Sequence, residues 1–169
     1  MNIKPIIECV VNHFTHFING GSDEAVINNA KHILSLRLQR CRLNALEDYS
    51  SVKEYLTLWF GNDESEKLCC LFLDQEHRLI QCNNILFGSI DQCEDQGAKE
   101  IARIAIMCNA SAVIFSSNVP SIDPDNIEAT SIANVKEVQQ ALNFISIRVI
   151  DYVLICGTTS FSFKEKNMI

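Results

Sequence analysis

Proline and glycine are scarce in this chain, with three and six occurrences among 169 residues. That scarcity excludes collagen-like and low-complexity architectures, and no internal repeat or inter-domain linker is visible. No apolar run is long enough to span a bilayer. The opening stretch MNIKPIIECVVNHFTHF is interrupted by Glu8, Asn12 and His13 and carries one lysine, so it fits neither a signal peptide nor a membrane helix. Cations are outnumbered, with 14 Lys and Arg against 21 Asp and Glu, and the formal charge of −7 disfavours nucleic acid as the default partner. The eight cysteines form no Cys-x-x-Cys pair and mostly lie in apolar runs, which reads as reduced core thiols in a cytoplasmic protein. Even the adjacent Cys69 and Cys70 would point to opposite faces of a strand.

The length suffices for one full core plus a small helical extension. Apolar residues recur at helical spacing over residues 5–18, and Gly20-Gly21 stops that helix. Ser22, followed by Asp23 and Glu24, suits the cap of a second helix with the stripe Ile27, Ala30, Leu34, Leu38, Cys41 and Ala45. Lys31, Arg37, Arg40 and Arg42 fall mainly off that stripe and form the one basic patch; a solvated helix face is the bland reading and an acidic partner the sharper one. Ser50-Ser51 offers a cap for a third helix ending at Gly61. Strands at 68–74 and 79–87 read as a hairpin, with His77 in its turn and facing water. A helix apolar on nearly every side follows at 97–109, then a buried strand from Ala112, a helix at 126–145, a strand at 147–156 and a short strand at 161–163.

The stretch SAVIFSSNVPSIDPDNIEAT, residues 111–130, concentrates the polar chemistry. An apolar strand runs there into a loop punctuated by Pro120 and Pro124, and Asp125 with Glu128 reads as a helix cap and its partner. The groups this presents are Ser117, Asn118, Ser121, Asp123 and, one turn into the helix, Thr130. Ser117 and Ser121 have no histidine in the surrounding segment to activate them. Asp123, Asp125 and Glu128 could hold a hard cation, but two of them have structural work at the helix start and the spacing is not that of an EF-hand loop. His13 and His16 lack a third ligand at matching spacing.

Residues 117–124, SNVPSIDP, resemble the HNHPSGDP loop of the RadC-like proteins, bacterial members of the JAB/MPN (JAMM) metalloprotease fold. LFLDQEHRLI (71–80), KEIARIAIMCNASAVI (99–114), VIDYVLICG (149–157) and SFSFKE (160–165) carry the likeness through roughly the last hundred residues. The resemblance implies a cytidine-deaminase-like mixed α/β sheet flanked by helices, with an N-terminal helical extension at 1–48 and the JAB/MPN domain at 49–169. It also implies a degenerate site. Ser117 and Val119 stand where the family has zinc-binding histidines, Thr130 where it has the zinc-binding aspartate, and Asn84 where it has the general-base glutamate.

These positions, together with Asn118, Ser121 and Asp123, would form a vestigial cleft with no metal, no catalytic residue and no cofactor. The expected function is therefore a non-catalytic interaction or regulatory module with a protein partner, no membrane association, and a homodimer compatible with the apolar N-terminal helices. The family's upstream DNA-associated module can be represented only by its trailing helix. Two alternatives belong to other classes: a metal-dependent hydrolase with relocated ligands, and a DNA-repair-associated protein binding nucleic acid through Lys31, Arg37, Arg40 and Arg42.

Overall fold

The computed structural model describes residues 22–40, 46–61, 65–85, 95–119, 129–157 and 159–169. In chain order the elements are α1 (Asp23–Leu38), α2 (Leu46–Phe60), β1 (Lys67–Leu73), β2 (Leu79–Ile85), α3 (Asp95–Met107), β3 (Ala112–Asn118), α4 (Ala129–Phe144), β4 (Arg148–Cys156) and β5 (Thr159–Ser162). The strands form one mixed sheet in the order β2-β1-β3-β4-β5. Only β3 and β4 are parallel, joined through α4; every other neighbouring pair is antiparallel.

The sheet has a core on each face, because side chains alternate along every strand. Leu68, Cys70, Phe72, Val113, Phe115 and Leu154 pack with Ile101 and Ala105 of α3 and Val135, Val138 and Leu142 of α4. Cys69, Leu71, Leu73, Ile114, Val153 and Ile155 pack with Val52, Tyr55, Leu56 and Phe60 of α2 and Leu38 of α1. Burial on both sides explains why the central strands read as continuous apolar runs.

Local chemistry sets the ends of these elements. Ser22 caps α1 by accepting a hydrogen bond from the amide of Ala25 at 3.4 Å. Gly61, at φ 60°, ends α2. The β1–β2 turn is built by Asp74, whose carboxylate accepts from the amides of Glu76 and Arg78 (both 2.9 Å) and from Nε of Arg78 (2.8 Å). That network substitutes for a glycine and places His77 at φ 59°. Asn109 and Ser146 supply left-handed residues after α3 and α4, and the next amides, Ala110 and Ile147, bond back to the carbonyls of Ala105 and Leu142 at 2.8 and 3.0 Å.

Two helix expectations need correction. The helix placed after Ser50-Ser51 starts a turn earlier, at Leu46, so both serines lie inside it; Glu47 and Asp48 in the sequence suit its positive end better than a cap at Ser50 would. On α1, which ends at Leu38, only part of the predicted stripe is inside: Leu38 is buried and Leu34 half-buried, whereas Ile27 is exposed along with Val26 and Ile33, and Cys41 and Ala45 lie outside the described residues. The helix predicted at 5–18 lies outside the described residues.

Candidate functional site

The carboxyl end of β3 holds three consecutive buried polar residues, Ser116, Ser117 and Asn118. Each is engaged. The hydroxyl of Ser116 donates to the carbonyl of Val153 at 2.8 Å. The hydroxyl of Tyr152 donates to Oγ of Ser117 at 3.0 Å. The amide of Asn118 accepts from the backbone N–H of Lys67 at 2.6 Å and donates to the carbonyl of Ser65 at 2.7 Å, tying the start of β1 to β3. Val119 is buried, and its N–H continues the parallel pairing to the carbonyl of Ile155 at 2.9 Å.

Strand register separates the predicted site residues into two groups. Ser117 lies opposite Leu68, and Val119 belongs to the same core, so both are on the α3–α4 face. Asn84 lies opposite Cys69, which faces α2, and its Oδ1 accepts from the indole N–H of Trp59 at 2.8 Å. Asn118, opposite Lys67, is on that same face. The two asparagines are thus not brought together with Ser117. The β2 residue on the Ser117 face is Asn83, opposite Cys70. Thr130 lies in the first turn of α4, the helix whose later residues pack on that face. Ser121, Asp123 and Arg42 lie outside the described residues.

The basic patch also divides. The ammonium of Lys31 donates to the carbonyl of Trp59 at 3.2 Å and sits 6.0 Å from the centre of its ring, holding α1 on the carboxyl end of α2. Arg37 and Arg40 are exposed. His77 is half-buried at the opposite end of the sheet from Ser117, with Nε2 at 2.7 Å from a guanidinium nitrogen of Arg148. Burial, followed by the charges of Arg148 and Lys164, holds its pKa below the ordinary value, against the pull of Asp74. A neutral imidazole accepting from arginine is the state consistent with that geometry.

Asp151 is a buried carboxylate that sequence reasoning did not single out. It accepts from the amides of Tyr152 (2.7 Å) and Lys164 (2.9 Å) through one oxygen and from the hydroxyl of Ser162 (2.6 Å) through the other. Burial raises its pKa, while the Ser162 hydroxyl, the two amides and the charge of Lys164 limit the rise. The signal was available: Asp151 is the single acid in the apolar strand VIDYVLIC. Its partners make it the anchor of β5 and the C-terminal turn. Cys156, half-buried at the Ser117 end of β4, has its thiol pushed up by burial, away from the thiolate a nucleophile requires. Among the described residues, no three His, Cys, Asp or Glu side chains are grouped so as to hold a metal ion.

Residues 46–168 match the RadC-like JAB domain. The chain belongs to the RadC-like JAB domain family. It is 33% identical over 144 residues to a UPF0758 protein of Vibrio cholerae, covering 85% of this chain and 88% of that protein. It is similar to a UPF0758 protein of Coxiella burnetii at 38% identity over 106 residues, which cover 63% of this chain and 46% of that protein. A third relative, UPF0758 protein PSHAa2643 of Pseudoalteromonas translucida, is 33% identical over 132 residues, 78% of this chain and 58% of its own length. The chain spans about half the length of these last two relatives. Every strand of the sheet lies inside the RadC-like match, as do α2, α3 and α4. Helix α1 precedes it yet places Leu38 in the core. Among the described residues no helix is long and apolar enough to cross a membrane.

Proposed function

We propose that this RadC-like JAB domain is a non-catalytic protein-binding module. The observation that carries this reading is the closed hydroxyl pair of Ser117 and Tyr152, buried at the end of β3 where the family pattern calls for a charged, ligand-bearing site. A JAMM hydrolase holds zinc with three protein ligands and an open position for water. That donor set does not fit here. Ser117 offers a neutral oxygen already bonded to Tyr152, Val119 offers no donor, and the amide of Asn118 is committed to the backbone at Lys67 and Ser65. No hydrolytic step is assigned to any residue of this chain.

The binding surface we assign is the outer edge of β2. Among the described residues it is an end strand of seven residues, paired with β1 on one side, and it displays Gln81 and Asn83 half-exposed and Asn84 exposed. An extended segment of a partner could pair along such an edge through its backbone. The other end strand, β5, has four residues. The protein reading is favoured over nucleic acid because Lys31 is drawn into the α1–α2 contact, leaving few cations to neutralise phosphates.

Elemental analysis together with affinity capture tests the proposal. The purified chain should carry no stoichiometric zinc, and a partner captured from the native host should be lost when Gln81 and Asn83 are both changed to lysine. One tightly held zinc per chain, or a capture indifferent to the lysines but abolished by Arg37→Glu with Arg40→Glu, would overturn it.

A further inference from the structure

We propose that two copies of this chain associate about a two-fold axis through the apolar carboxyl ends of α3 and α4. Phe144 is 92% exposed, Met107 74%, Ile106 66% and Ile145 39%. All four lie at one end of one helical layer, because α3 leads into β3, α4 leads into β4, and the two parallel strands begin side by side at Ala112 and Arg148. Met107 and Phe144 occupy the same place in their helices, the last full helical position before a left-handed turn residue, Asn109 or Ser146. Those turns are closed by backbone hydrogen bonds and bury Ile147 while directing Phe144 outward. The exposure is therefore built into two well-bonded helix ends.

The area suits a second copy. From ordinary side-chain areas the four residues present roughly 500 Å² of apolar surface, so a self-matching contact would bury about 1,000 Å² in all, the lower limit for a specific interface. A patch at one end of the molecule can meet its own image about a two-fold axis. Charge also permits it: the nearest acid on α3, Glu100, is paired with Arg103 at 2.6 Å, and a nitrogen of Arg103 lies 2.9 Å from the sulfur of Met107. On α3, therefore, the acid nearest Met107 is already neutralised; on α4 the nearest acid, Glu137, stands about two turns before Phe144. The connections that precede α3 and α4 depart from Ile85 and Val119, at the opposite end of the sheet.

Sedimentation velocity on the full chain decides the matter. Wild type should sediment as a dimer that dissociates on dilution, and Phe144→Glu and Met107→Glu should each halve the mass at concentrations where wild type is paired. Circular dichroism below the concentration at which wild type associates should show the same melting for wild type and both variants, since the side chains replaced are exposed in the single chain. Ile33→Glu, on the outer face of α1, should leave the dimer intact. A monomer at every concentration, a dimer that survives both α3 and α4 changes, or a dimer separated by Ile33→Glu would each overturn the proposal.

Discussion

The polar residues within the sheet and the apolar residues at the α3 and α4 ends depart from ordinary burial in opposite directions, and their partners differ accordingly. Ser116, Ser117, Asn118, Asp151 and Ser162 are buried, and each has a hydrogen-bond partner inside the fold. Phe144 and Met107 are exposed, held outward by helix ends that backbone hydrogen bonds close. A buried polar group is costly unless paired, so the first set is read as structure that holds strands together. An exposed apolar group has no comparable internal remedy, so the second set is read as surface awaiting a partner.

The largest effect that would sharpen this contrast is expected at Asp151. Asp151→Ala removes the acceptor of two amides and a hydroxyl and should lower unfolding free energy by about 3–5 kcal/mol in urea denaturation, because each stranded donor costs about 1–3 kcal/mol. A loss under about 1 kcal/mol would break the claim that this carboxylate anchors β5. Asp151→Asn keeps an acceptor oxygen for the two amides and loses only the acceptor of the Ser162 hydroxyl, so it should cost less. It should also remove a pH slope. The folded pKa of Asp151 is raised above the ordinary 3.8, so the folded state binds more protons than the unfolded one between those two values. Its contribution is fully present below the unfolded value and is lost as pH rises through the folded value. The asparagine variant should lack that decline.

A smaller effect is expected where the hydroxyl pair closes β3. Tyr152→Phe removes one neutral hydrogen bond and keeps the ring packing on Phe163 at 4.8 Å, so a stability loss of about 1 kcal/mol should be seen by denaturation. A loss several times greater would mean that the Tyr152 hydroxyl supports a wider network than its bond to Ser117. The smallest effect belongs to the other region. Phe144→Ser, measured below the concentration at which chains associate, should change stability by no more than about 0.5 kcal/mol. A strong destabilisation of the monomer there would show that Phe144 packs within its own chain.

Much of the fold was legible because its signals were local. The cap at Ser22, the stop at Gly61, the hairpin and the buried β3 and β4 each follow from residues within a few positions of one another. The hairpin turn was recognised from its flanking strands although it lacks glycine; the Asp74 carboxylate does the work, and only the three-dimensional arrangement displays that. That polar residues gather at the end of β3 was legible; which side chains share a face with them was not. A shift of one residue in register moves a side chain to the other face, and β2 reads LIQCNNI with no clean alternation to fix the choice. Its pairing with β1 also carries an irregularity between Phe72 and Leu73. Asn84 consequently belongs with Trp59, and Asn83 with the Ser117 face. The exposed helix ends escaped sequence reading because a stripe of apolar residues does not say which of its members lies past the edge of the sheet.

Trp59 has a practical consequence. It is the chain's single tryptophan, and its indole N–H is bonded to Asn84 on β2 while the Lys31 ammonium stands near its ring and Tyr55 packs 5.7 Å away. Its emission therefore reports from one known position, without the averaging that several fluorophores impose. A strand added beside β2 that turned Asn84 away would free the indole to meet water, and the resulting red shift would give a label-free optical titration of that edge.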